Sequence, residues 1–176
     1  MANQPQQPDT TLHNASHLMQ YHDLIESIVA ALDARDAYTA SHSDRVADMV
    51  LVLAAALGLD EDETTRIHMA AHLHDIGKIA IDEKILNKPG RLTPEEFELV
   101  KTHSMRGAEM LHDLDNFGEQ PLLQTAYEIA RWHHERWDGR GYPDGLKGDE
   151  IPISAQLVSL ADVYDALTSN RCYKKA

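Results

Sequence analysis

The chain reads as an all-α domain. Apolar residues recur at three- and four-residue spacing through most of its length, alternating apolar/polar strand patterns are almost absent, and short punctuated loops separate the periodic segments. A first helix is expected over about His13 to Asp36, where Leu18, Tyr21, Leu24, Ile25, Ile28 and Leu32 fall at helical spacing. A second starts near Ser41, carries Val46, Met49, Val50, Leu53 and Leu57, and ends at Gly58. A third spans about Asp60 to Ile76 and stops at Gly77. Residues 79–92 read as extended or irregular, closing on Lys88-Pro89-Gly90. Thr93-Pro94-Glu95-Glu96 then supplies an N-cap, a proline at the first helical position and acids in the first turn, opening a helix to about His112. Another helix covers roughly Pro121 to His134. Residues 135–152 are rich in Gly and Pro and read as a long loop. A last helix runs from about Ser154 to Ser169.

Composition narrows the function. The 176 residues suit one domain, with residues 1–11 expected as a disordered tail and 12–176 as the folded unit. Sixteen Lys and Arg against 29 Asp and Glu give a net charge of −13, the wrong field for long nucleic acid or an anionic membrane. A small phosphate ligand in a local positive pocket is not excluded. The single cysteine, Cys172, excludes a disulfide framework and fits a reducing compartment. The longest apolar run, Met49 to Leu59, is about half of a membrane span. The polar start, Met1 to Thr11, has no apolar signal-peptide core, so a cytoplasmic chain is expected.

The count of 11 histidines is the most informative number. His42 lies one turn before Val46 on the apolar stripe. His74 shares a face with Ile67, Ala70 and Ala71. His103 follows Leu99 and Val100 by one turn, His133 continues the series Leu122, Ala126, Ile129, and His134 stands one turn after Ala130. All five point wholly or partly inward. Buried imidazoles need partners, and a metal is an economical common one. Two carboxylates join them: Asp75, directly after His74, and Asp162, set among Leu157, Val158, Leu160, Ala161 and Val163, where an unpaired Asp is costly. Adjacent helical residues diverge by ~100°, so His74-Asp75 and His133-His134 would serve two neighbouring ions, with a carboxylate bridging. Imidazole and carboxylate donors without thiolate suit iron or manganese. By contrast, His72 faces away from His74 and reads as a supporting or surface residue. His68 and His112 read as solvated or packing residues, and His13, His17 and His22 carry no signal.

The run Ala71-His72-Leu73-His74-Asp75-Ile76-Gly77-Lys78 resembles the signature of the HD-domain metal-dependent phosphohydrolases. The longer run His133-His134-Glu135-Arg136-Trp137-Asp138-Gly139-Arg140-Gly141-Tyr142-Pro143 is more specific and resembles the HD-GYP subfamily, the cyclic di-GMP phosphodiesterases of bacteria. Arg35 to His42 and Leu160 to Ser169 match as well, so the resemblance covers about residues 22–176. It implies a helical bundle around a binuclear metal centre with ligands at His42, His74, Asp75, His103, His133, His134 and Asp162. It assigns Lys78, with Asp75, a catalytic role, and places substrate phosphate on Arg171 and Lys174. Three departures stand out. Tyr38 occupies the position where some members hold a third metal through Glu, so two ions are expected. Cys172 replaces the usual proline after the arginine. The chain stops at Ala176, where the family commonly continues with further helices, and lacks a preceding receiver or sensor domain, as expected of a shortened or excised module.

The implied activity is hydrolysis of cyclic di-GMP to the linear dinucleotide, and on to GMP, by a metal-bridging hydroxide. Asp75 and Asp162 bring two negative charges, two divalent ions four positive, and Lys78, Arg171 and Lys174 more. The pocket is then cationic within an acidic protein, as a phosphodiester needs. The loop holding Gly141, Tyr142 and Pro143 lies at the rim, either shaping the pocket for a cyclic dinucleotide or docking a partner such as a diguanylate cyclase domain. Trp132 and Trp137 offer faces for a guanine. A second reading is a catalytically weak cyclic-dinucleotide sensor or interaction module. A third, a nucleotidase acting on mononucleotides, is disfavoured by the Gly-Tyr-Pro run.

Overall fold

A computed structural model describes the backbone of residues 10–35, 41–114 and 117–169, and side chains within these from His22 onward. Seven α-helices occupy this part: α1 (Thr10–Asp33), α2 (His42–Leu57), α3 (Glu61–Ala71), α4 (Glu83–Leu86), α5 (Pro94–His112), α6 (Pro121–Trp132) and α7 (Ile153–Thr168). Three short 3-10 segments join them, at Ile76–Ala80, Phe117–Glu119 and Gly148–Glu150. Among the described residues there is no strand, as the periodicity predicts. No described helix is long and apolar enough to cross a membrane.

Local signals account for the clearest boundaries. The Asp60 carboxylate accepts from the Glu63 amide at 2.8 Å and starts α3. Thr93 and Glu96 exchange hydrogen bonds in a capping box, with Pro94 in the first turn, and start α5. Two ends come earlier than the periodicity predicts. α3 stops at Ala71 rather than Ile76, and α6 at Trp132 rather than His134. Beyond Ala71 the chain tightens into i→i+3 turns, with Leu73, His74, Ile76 and Lys78 amides bonded to Ala70, Ala71, Leu73 and Asp75 carbonyls. Thr10 and Thr11, read from sequence as tail, belong to α1; residues 1–9 lie outside the described set.

The core sits where α2, α3, α6 and α7 meet, with α5 against α6 and the first 3-10 segment. Val46, Ala47, Val50 and Ala54 of α2 face Ile67, Ala70 and Ala71 of α3, Ala126, Ile129 and Ala130 of α6, and Val158 and Ala161 of α7, all fully or nearly fully buried. The alanines let helix backbones approach closely, and each buried Val or Ile contributes about 1.5–3 kcal/mol. α1 rests on this core along a narrow edge: Ile25, Val29 and Leu32 are buried, while Leu24 and Ile28, expected on the same stripe, are exposed. Gly77 sets the closest backbone crossing. A Cβ there would stand 1.9 Å from the His103 carbonyl oxygen and 2.5 Å from the Gly107 nitrogen, so only glycine lets the 3-10 segment lie against α5.

Candidate metal centre

The fold brings the side chains of His42, His74, Asp75, His103, His133, His134 and Asp162 into one buried cluster. His42 opens α2, His74 and Asp75 lie in the turns after α3, His103 is in α5, His133 and His134 follow α6, and Asp162 is in α7. Asp75, His74, His103, His133 and His42 are each 6% exposed or less. The donor atoms form two groups, each close enough to grip one cation: His42 with His74 and Asp162, and Asp75 with His103, His133 and His134.

Two early helix endings make this geometry. In a continuing helix, neighbouring side chains would diverge by ~100°. Off the helix, His74 Nε2 comes within 3.2 Å of Asp75 Oδ2, and the His133 and His134 rings lie 4.0 Å apart. The expectation that these pairs diverge is corrected: His74 and Asp75 still fall in different groups, but His133 and His134 fall in the same one. Asp75 joins the groups: Oδ2 faces His74, while Oδ1 lies 3.3 Å from His103 Nε2 and 3.9 Å from His133 Nε2. Lys78 Nζ pairs with Asp75 Oδ2 at 2.7 Å.

Four of the five imidazoles share one tautomer. His74, His103 and His133 direct Nδ1 at the carbonyls of Ala71, Val100 and Ile129 at 2.9, 2.7 and 2.8 Å. A carbonyl only accepts, so Nδ1 carries the proton and Nε2 a lone pair turned into the cluster. His42 Nδ1 donates to Asp165 Oδ2 at 2.7 Å, with Nε2 3.3 Å from Asp162 Oδ1. Asp165 is held in turn by Arg45, at 2.6 and 3.1 Å, and by Ser169 at 2.8 Å.

Two observations test whether a cation fits. His74 Nε2 is buried with no hydrogen-bond partner among the described residues. His103 Nε2 and His133 Nε2 face each other at 3.4 Å, two lone pairs that repel unless a cation lies against both. The donors therefore suit divalent cations. The electrostatics agree. Burial disfavours the Asp75 carboxylate, but Lys78 and His74 outweigh it and keep its pKa well below the usual range. Burial and then the neighbouring imidazoles depress His133, and burial and His103 lower His134 to about 4, so both stay neutral donors at neutral pH. Burial lowers His74, yet Asp75 and Asp162 outweigh it and its pKa is raised.

The Gly-Tyr-Pro loop closes one side. Gly141 packs so tightly that a Cβ would stand 2.4 Å from both Glu135 Cα and Arg136 N. The buried Glu135 carboxylate accepts from the amides of Asp144 and Gly145 at 2.7 and 2.8 Å, pinning the loop to the residues after His134. Tyr142 stacks on His134 with centroids 4.8 Å apart, and Lys101 lies over the tyrosine ring. Pro143 follows it in the same loop, partly buried. Trp132 donates to Asp144 at 2.8 Å, which ties its indole to the loop; Trp137 is largely exposed. Arg171 and Lys174, Cys172 and Tyr38 lie outside the described residues. Sequence reading missed Asp165, Arg45 and Glu135. The available signals were the i, i+3 spacing of Asp162 and Asp165, of His42 and Arg45, and the position of Glu135 beside His134.

Comparison with known proteins agrees with this architecture. An HD domain family model matches residues 22–176. A cyclic di-GMP phosphodiesterase of Thermotoga maritima is 46% identical over 159 residues, 88% of this chain and 42% of that protein. A 3'3'-cGAMP-specific phosphodiesterase of Vibrio cholerae is 44% identical over 152 residues, 86% of this chain and 28% of that protein. The chain thus spans less than half the length of these relatives. The solved structure of Bd1817, an HDG"Y"P protein from Bdellovibrio bacteriovorus, shares the fold with a TM-score of 0.61 at 24% identity, covering 85% of this chain and 50% of that one. With the His-Asp and Gly-Tyr-Pro runs seated on one buried donor cluster, the chain belongs to the HD domain family.

Proposed function

We propose that this domain hydrolyses a cyclic dinucleotide, cyclic di-GMP in the first instance, with two divalent cations held by His42, His74 and Asp162 and by Asp75, His103, His133 and His134. The observation that carries the reading is Asp75: its two oxygens face different imidazole groups while Lys78 stands beside it. Iron or manganese suits these donors. Bound there, the cations supply Lewis acidity toward the phosphate and lower the pKa of the attacking water.

The chain's own residues do the rest. Asp165 and three backbone carbonyls fix His42, His74, His103 and His133 as Nε2 donors, so these four need little rearrangement. Lys78 offers an ammonium beside the bridging carboxylate, placed to offset charge developing on the phosphate and to give a proton to the leaving 3′ oxygen. Tyr142, stacked on His134, walls the pocket and keeps water from one side. Gly141 and Pro143 set its approach, and Arg171 and Lys174 contribute the remaining phosphate contacts.

Similarity to phosphodiesterases named for cyclic di-GMP and for 3'3'-cGAMP supports the class and leaves both substrates to be compared. The test is turnover of each by protein loaded anaerobically with iron or manganese, with products separated by chromatography. The linear dinucleotide should appear first, followed by GMP. Tight binding without turnover under every metal would overturn the enzymatic reading in favour of a sensor.

A further inference from the structure

A second histidine cluster lies apart from this centre. His22 of α1, His68 of α3 and His72, which caps α3, bring one ring nitrogen each to within 4.8 Å of the others. Their ring centroids are 5.9, 5.5 and 5.2 Å apart. None of the three belongs to the seven-residue cluster.

Their surroundings repeat the devices of a metal site. His72 is 4% exposed, and neither of its ring nitrogens has a hydrogen-bond partner among the described residues. Buried polar groups are nearly always satisfied, so such a ring wants explanation. Its Nδ1 stands 3.4 Å from Asp44 Oδ1, without hydrogen-bond geometry. His68 Nδ1 donates to the Ala47 carbonyl at 3.0 Å, which leaves the lone pair on Nε2, as in the catalytic histidines. His22 Nδ1 lies 3.4 Å from Glu26 one turn on. His72 keeps right-handed helical angles, so His68 and His72 stand at i, i+4 on one face, the spacing at which two imidazoles share an ion.

We propose that His22, His68 and His72 bind one divalent transition-metal ion of the zinc, cobalt or nickel class, clamping α1 to α3. Three imidazoles leave a fourth position for water or for Glu26 or Asp44. α1 otherwise touches the core along a narrow edge, so a three-histidine clamp across its middle would fix its attachment. The site does not depend on the phosphodiesterase reading.

The experiment titrates chelator-treated full chain with Co2+ and then Zn2+, reading the cobalt absorption bands and the metal bound after equilibrium dialysis. His22→Ala is the main variant, because His22 is partly exposed and stands outside the buried core cluster. It should hold one ion fewer per chain than the parent, with cyclic di-GMP turnover by iron- or manganese-loaded protein unchanged within twofold. Zinc should raise the melting temperature of the His103→Ala protein, whose Asp75 group has lost one donor, and the rise should be smaller once His22→Ala is added. Equal stoichiometry in parent and His22→Ala protein, or an equal zinc-induced rise with and without His22, would overturn the proposal even if the protein hydrolyses cyclic di-GMP.

Discussion

Among the described residues Asp165 hydrogen-bonds to the donor groups only at His42, which makes its replacement by Asn a sharp test. The carboxylate accepts from His42 Nδ1 at 2.7 Å and from the Arg45 fork. Burial disfavours its charge, but Arg45, His42 and Ser169 outweigh burial and hold its pKa well below the ordinary carboxylate value. Asn has the same shape and only one acceptor oxygen. With that oxygen on Arg45, its amide faces His42 Nδ1, and the ring must move its proton to Nε2, the atom 3.3 Å from Asp162. An incoming cation then has to displace that proton. Loss of such a supporting carboxylate lowers metal affinity ~10–100-fold, or about 1.4–2.7 kcal/mol. Metal content should be measured after dialysis against graded free Mn2+, with circular dichroism as a check on folding. The ion held by His42, His74 and Asp162 should be lost first, the other retained, and turnover restored at high metal. Unchanged affinity, or equal loss of both ions from a folded protein, would refute the tautomer argument.

Further outcomes follow from the same geometry. Asp75→Ala should abolish turnover and lower metal content in both groups, because one carboxylate serves both; normal stoichiometry would sink the bridging role. Gly77→Ala should destabilise the fold by at least about 1–3 kcal/mol, since its methyl meets the backbone of α5; an unshifted denaturant midpoint would contradict the close crossing. In metal-free protein, His134 binds its proton near pH 4 when folded but near 6.5 when unfolded, and His103 and His133 are lowered in the same sense, chiefly by burial. Unfolded chains then take up protons first as pH falls, so stability present above pH 6.5 should decline toward pH 4, opposed by the raised pKa of His74; melting temperatures that rise over this window would reverse the sign. Arg171→Ala with Lys174→Ala should raise KM for cyclic di-GMP with a smaller change in kcat, and steady-state kinetics showing the opposite split would remove these residues from phosphate binding.

Helices were legible where the signal was local. Thr93, Pro94 and Glu96 announce the start of α5 within four residues, and the structure forms that capping box. The ends of α3 and α6 were not legible, because the apolar face continues through His74 and His133 and nothing local marks the break. The donors themselves could be read, since a polar ring on an inward face is an anomaly that sequence exposes. Asp165 could not, because an Asp three residues after another reads equally well as a solvated face. Its partners His42 and Arg45 lie in α2, and only the tertiary fold brings them together. His22, His68 and His72 were uninformative for the same reason, each weak alone and joined only when α1 meets α3.

Because α7 supplies both Asp162 and Asp165, the hydrogen bond that seats His42 closes across 123 positions of chain. During synthesis α7 is the last described helix to leave the ribosome, and contacts of such separation form late. A nascent chain can therefore bring His74, Asp75, His103, His133 and His134 together before His42 meets its α7 partners. The donor group anchored on Asp75 needs no residue of α7, whereas the other cannot be complete without Asp162. Metal captured early would hold the hairpin of α5 and α6 against the α3 turn and narrow the search left to α7. The centre thus also bears on the order in which the domain is built.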